Sequence, residues 1–269
     1  MILQQWINGK DNNLMVVERF RSAETSPTGC IFLPGLGQTK AGLYFLYTMI
    51  AERIYCDIPT LQVDYSGFGD SEGNLYECTI ESILNDIKRV IRYFKNKYKV
   101  KKIFFVSSGF ANSLILDFVV NNTECDYELI LIKPFLDGIL YEKYKDNIDM
   151  NYLSTNALID TAFLVDWDAD EELFKWLGAG RNRTKGLLVR QDFFLDIIKS
   201  SIKDNIQLCN KKMLIISNEK NEFLISGFGN NVEWFFTKKE DPNILSMLER
   251  KQVINKIVDW ILNRIDLDE

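Results

Sequence analysis

Short, largely apolar runs alternate with stretches of helical spacing, and this alternation restricts the fold more than any other feature. Cys30 to Leu33 (CIFL), Thr60 to Val63, Lys102 to Val106 (KIFFV) and Glu128 to Ile132 (ELILI) read as strands. Runs apolar on both sides of the pleat belong in a parallel sheet with helices on both faces. Between them, Lys40 to Ile54, Thr79 to Lys97 and Phe110 to Asn121 have helical spacing. Thr79 is placed as an N-cap, with Ser82 and Asn85 on the outer face of its helix. Leu14 to Phe20 reads as a strand of an antiparallel opening hairpin. Met213 to Ile216 and Val232 to Phe236 supply the last two strands, and Pro242 to Ile265 a closing helix.

The alternation stops at Pro134 and resumes at Lys211. An interval of about 75 residues is too long for a loop. It lacks strand-like runs and predicts a helical cap. The expected division is residues 1–140 as the first part of an α/β core, 141–205 as the cap and 206–269 as the second part of the same core.

Composition narrows the function classes. Net charge is −6, which argues against nucleic acid and against anionic membrane surfaces as partners. The five cysteines form no CxxC pair and the chain has no histidine, so zinc patterns that need His are excluded and no metal or cofactor is expected. Met1 to Lys10 carries no secretory pattern, and no apolar run has the length of a membrane span. The expectation is a cytoplasmic protein, monomeric or homodimeric.

Four stretches, in order, carry a resemblance: FLPGLGQTKAG (Phe32 to Gly42), VDYSGFGDSEGN (Val63 to Asn74), FFVSSGFANSL (Phe104 to Leu114) and LIKPFLDGILY (Leu131 to Tyr141). The sequence resembles the α/β-hydrolase superfamily, especially bacterial serine aminopeptidase-like and exosortase-associated hydrolases. The resemblance implies an α/β-hydrolase fold: a mostly parallel eight-stranded sheet, helices on both faces and a helical cap insertion.

It also implies a catalytic triad, and there the sequence departs from the pattern. A nucleophile elbow reads small-x-nucleophile-x-small. Gly109, between Ser107 and Ala111, fits the centre; with Ser108 central, Phe110 falls in a small position, and with Ser107 central, Phe105 does. Asn221 aligns with the triad acid and Asp241, beside Glu240, with the triad histidine. Asn is neutral and cannot stabilise an imidazolium as Asp does. The oxyanion hole is built from backbone N–H groups, here of Leu36 and Phe110, and survives side-chain replacement. The expected ligand-binding positions are Leu36, Gly37, Tyr65, Ser107, Ser108, Gly109 and Phe110.

Other patterns have ordinary explanations. Asp166, Asp168 and Asp170 suggest a calcium loop, but Glu171 stands where an EF-hand needs Gly and Leu177 where it needs Glu. Asp64 and Asp70 read as loop-fixing carboxylates. Arg181, Arg183, Lys185 and Arg190 read as a solvated surface. Trp167, Phe174, Trp176, Phe193 and Phe194 read as cap packing or the apolar wall of a pocket.

These readings predict a catalytically degenerate α/β-hydrolase-like protein that acts as a binding, scaffold or accessory protein in a biosynthetic pathway. Its partner would be a small organic or peptidic ligand, or a protein of the same pathway. One alternative is a non-hydrolytic isomerase, epimerase or lyase that uses Asp241, Glu240, Glu222 or a substrate group as base. The other is a hydrolase with a rearranged nucleophile, Ser108 with Lys133 as base.

Overall fold

The computed structural model describes residues 1–21, 25–122, 125–134, 158–160, 188–199, 202–217, 229–237 and 247–265. Ten strands are found among them: β1 Ile2–Ile7, β2 Leu14–Arg19, β3 Thr28–Leu33, β4 Thr60–Val63, β5 Lys102–Ser108, β6 Asp126–Ile132, β7 Leu158–Asp160, β8 Leu188–Arg190, β9 Met213–Ser217 and β10 Val232–Phe236. The helices are α1 Leu46–Ile54, α2 Ile80–Tyr98, α3 Ala111–Asn121, α4 Gln191–Lys199, α5 Ile202–Leu208 and α6 Met247–Ile265.

Eight strands form one sheet in the order β1-β2-β4-β3-β5-β6-β9-β10. Only the β1–β2 and β2–β4 pairs in it are antiparallel. Alternation along β5 shows why its whole run is apolar. Ile103 and Phe105 face a core built with α2, α3, α4 and α5, whereas Phe104 and Val106 face a second core built with α1 and α6. Each core residue is withdrawn from water on one side of the sheet or the other, at about 25 cal/mol for each Å² of apolar surface buried.

Local chemistry sets the ends of α2. Thr79 Oγ1 accepts from the Ser82 N–H at 3.0 Å, and Ser82 Oγ accepts from the Thr79 N–H at 2.9 Å. Ser82, expected only on the outer face, therefore completes a capping box. The opposite end stops at Lys99, which takes a left-handed φ of 59°.

Two expectations are corrected. The helix expected from Lys40 begins only at Leu46, after a 3-10 turn at Leu43–Phe45. Gly42, Tyr44 and Phe45 have φ of 71°, 51° and 63°, which no right-handed helix allows. The Lys40 N–H is bound to the Asp64 carboxylate instead, which holds this segment as a loop against the turn after β4. The insertion also contains strand: β7 and β8 pair antiparallel in a separate ribbon, with Ile159 opposite Val189. Val189 is fully buried, so this short apolar run pairs because it packs into the core.

Removing the α2 cap with Thr79→Ala should lower stability by about 1 kcal/mol. Thr79→Ser should retain most of it, as read by urea denaturation.

Candidate functional site

Two loops and one turn meet at the carboxyl ends of the central strands, and the first two are closed on one buried carboxylate. Asp64, directly after β4, has no solvent exposure. Its carboxylate accepts from the Lys40 N–H at 2.5 Å, the Lys40 ammonium at 2.7 Å and the Asp70 N–H at 3.0 Å. Burial works against the Lys40 ammonium, but hydrogen bonds and charge from Asp64 and Asp70 outweigh it and hold the pKa above that of an ordinary lysine. Ser71 donates to the Asp64 carbonyl and accepts from the Met15 N–H, which ties the glycine-rich turn to β2. Gly69 is obligatory here: its φ is 51°, and a Cβ would come within 2.3 Å of the Asp64 carboxylate. Asp64 thus fixes loops as expected, whereas Asp70 contributes its backbone N–H and an exposed ion pair to Lys40 at 2.5 Å.

The turn is the junction of β5 and α3. Gly109 spans it with a φ of 57°. That left-handed conformation costs a residue with a Cβ about 1–2 kcal/mol. Phe110 caps α3 without a side-chain cap hydrogen bond, and the first turn holds no acidic residue. The Asn112 and Ser113 N–H groups turn back onto the Gly109 and Phe110 carbonyls at 3.1 Å each, and the helix start keeps a partial positive charge at the turn.

The two serines before Gly109 are differently engaged. Ser107 is fully buried and donates to Asn112 Oδ1 at 2.7 Å, while Asn112 Nδ2 donates to the Ile132 carbonyl at 3.1 Å. Ser108 is half-buried. Its hydroxyl lies 2.8 Å from the Tyr47 hydroxyl and 3.0 Å from Gln38 Oε1. Burial pushes the Tyr47 phenol far up, so it stays neutral and serves as a donor. Gln38 Oε1 also accepts from the Gly35 N–H at 3.3 Å. A Cβ on Gly35 would lie 3.1 Å from the Ser108 carbonyl, so the loop after β3 packs directly on the elbow.

Among the other expected positions, Leu36, Tyr65 and Phe110 are buried to within 1% of full burial. The Leu36 and Phe110 side chains thus belong to the core. The Tyr65 hydroxyl is buried and has no hydrogen-bond partner among the described residues. Its ring stands edge-on to Phe68, which stacks on Phe110 at 6.4 Å. Gly37 is exposed, with a φ of 69°. Phe193, from α4, meets Phe110 edge-on at 6.2 Å, and Phe194 is equally buried, so both pack into the core. Arg190 is paired with Asp192. Lys133 follows Ile132, the register partner of Ser108, and has a left-handed φ of 49°.

Asn221 and Asp241 lie outside the described residues, as do Glu222, Glu240, the 166–177 segment, Arg181, Arg183 and Lys185. Among the described residues, no group of three or more His, Cys, Asp or Glu side chains is placed to hold a metal ion, and no helix is long and apolar enough to cross a membrane.

Sequence reasoning missed Tyr47, Gln38 and Asn112. Asn112 had a signal, a polar residue at a buried position of an otherwise apolar helix. Tyr47 had none, because it lies 61 residues from Ser108 and reads as ordinary helix packing.

Solved structures share this fold. Est1E from Butyrivibrio proteoclasticus, with ferulic acid bound, superposes with a TM-score of 0.73 at 14% identity, covering 97% of this chain and 99% of that one. GrgF from Penicillium sp. sh18, an alpha/beta hydrolase, gives 0.72 at 13% identity over 99% of both chains. This chain has the α/β-hydrolase fold. Mouse alpha/beta hydrolase domain-containing protein 10 gives 0.69 at 16% identity, over 97% of this chain and 99% of that one. No protein-family model matches the sequence, and no curated protein does. Identities of this size carry the fold, which hosts many functions.

Asp64→Asn should cost about 3 kcal/mol, because it breaks a buried ion pair and leaves the Lys40 ammonium without its buried partner. Asp70→Asn should cost less than about 1 kcal/mol, its carboxylate being exposed. Urea denaturation of the two variants checks the contrast.

Proposed function

We propose that this protein binds a small organic molecule in the α/β-hydrolase site and does not hydrolyse it. The observation that carries the proposal is Gly109: glycine, at a φ of 57°, occupies the β5–α3 turn where this fold holds its nucleophile. A nucleophilic serine also needs a base to take its proton. The chain has no histidine. The nearest hydroxyls support the same reading. Ser107 is spent on Asn112, and the hydrogen-bond partners of Ser108, Tyr47 and Gln38, are both neutral.

Binding does not need those side chains. The uncapped N-terminus of α3, with the backbone N–H groups of Phe110 and Leu36, suits a carbonyl or carboxylate oxygen. Est1E, which shares the fold, holds ferulic acid. An aromatic acid of that size is the class of molecule we assign to this site, with the protein serving as an accessory to the enzymes that make or consume it.

The test uses the purified chain with a panel of nitrophenyl esters, thioesters and anilides, together with a fluorophosphonate probe. Turnover should equal that of buffer, and neither Ser107 nor Ser108 should be labelled. Labelling of Ser108 that disappears in Ser108→Ala, with turnover lost in parallel, would establish a rearranged hydrolase and sink the proposal.

A further inference from the structure

One edge of the sheet is open in a way that natural edge strands avoid. β1, Ile-Leu-Gln-Gln-Trp-Ile, carries no charge and no proline. Its register with β2 is continuous from Ile2 opposite Arg19 to Ile7 opposite Leu14, so no bulge twists it away. Charges, prolines and bulges are the usual devices that keep an edge from pairing with another chain. Met1, Ile2, Leu3 and Trp6 are 65%, 59%, 36% and 47% exposed.

The hydrogen-bond pattern shows which backbone groups are open. Met1 and Phe20 exchange both of their bonds, the terminal amine to the Phe20 carbonyl at 2.6 Å and the Phe20 N–H to the Met1 carbonyl at 3.1 Å. Antiparallel bonding alternates from residue to residue. Leu3, Gln5 and Ile7 therefore bond to β2, and the N–H and C=O groups of Ile2, Gln4 and Trp6 face outward. These three residues also share one face of the sheet. The opposite face is occupied, since Gln5 donates to Glu18 beneath α2.

We propose that β1 pairs antiparallel with β1 of a second copy of this chain, about a two-fold axis through Gln4 perpendicular to the sheet. That operation keeps faces matched, so residues of like parity meet. Gln4 lies opposite the partner's Gln4, and Ile2 lies opposite the partner's Trp6 on both sides of the axis. The outward N–H and C=O groups of Ile2, Gln4 and Trp6 are then all paired. Each Ile–Trp contact joins a β-branched to an aromatic side chain, a favourable cross-strand combination. The same strand is thus its own complement, which is why a second copy fits it better than an unrelated chain does. Pairing the edges covers part of the exposed Ile2, Gln4 and Trp6 side chains in both copies, a small interface of the kind that holds a weak association. The assembly is a concentration-dependent dimer with one sheet running through both copies.

Sedimentation equilibrium on the full chain, over a series up to roughly 200 µM, tests this. The wild type should reach twice the chain mass. Gln4→Lys sets two like charges opposite each other at the axis and should weaken association by about tenfold or more, with an unchanged thermal melt because the side chain is exposed. Gln4→Glu should do the same alone. An equimolar mixture of Gln4→Lys and Gln4→Glu should recover a heterodimer, which a purely structural effect of either change would not produce. A wild type that stays monomeric throughout the series, or a Gln4→Lys variant that associates as the wild type does, overturns the proposal.

Discussion

The Asp64 carboxylate, wholly withdrawn from solvent, is the constraint on which the candidate site depends. A buried carboxylate is costly unless hydrogen bonds and an opposite charge surround it. Here the loop after β3 contributes the Lys40 N–H and ammonium, and the turn after β4 contributes the Asp70 N–H. The two segments are far apart in sequence and are closed on one anion. Gly69 exists to let the turn approach it. The loop after β3 in turn lies on the elbow, with Gly35 and Gln38 against Ser108. The position of the backbone donors around Gly109 thus follows from satisfying one charge.

This arrangement separates two things that a hydrolase keeps together. The strained turn, the helix terminus behind it and the loop beside it are backbone features, and they are present. Nucleophile and base are side-chain features. On the proposed reading a glycine stands in the nucleophile's place, beside a serine held by amide and phenol and a serine buried against Asn112. Such a site can orient an oxygen without attacking the carbon that bears it.

How much of this was legible in the sequence follows from the range of the interactions involved. β5 and β6 could be read because burial on both faces makes them continuously apolar. The capping role of Thr79 could be read because its partner lies three residues away. Asp64 could be read as a loop anchor from the glycines around it, although Lys40 could not be read as its counter-ion. The delayed start of α1 was hidden, because Leu43, Tyr44 and Phe45 are apolar residues at helical spacing. Only the left-handed backbone of Tyr44 and Phe45, set off by Gly42, excludes them from the helix. The β7–β8 ribbon was hidden because each strand is three residues long and its partner is distant in sequence. The Tyr47–Ser108 contact was hidden for the same reason of distance.

The central claim is that the site holds a molecule and does no hydrolysis, and native mass spectrometry of the protein taken gently from its own cells tests it most directly. The account predicts a stoichiometric small-molecule adduct that leaves unchanged when the protein is denatured, returning the chain to its sequence mass. An adduct that survives denaturation as an acyl group on Ser107 or Ser108 would contradict it, because a serine in this site would then be acting as a nucleophile.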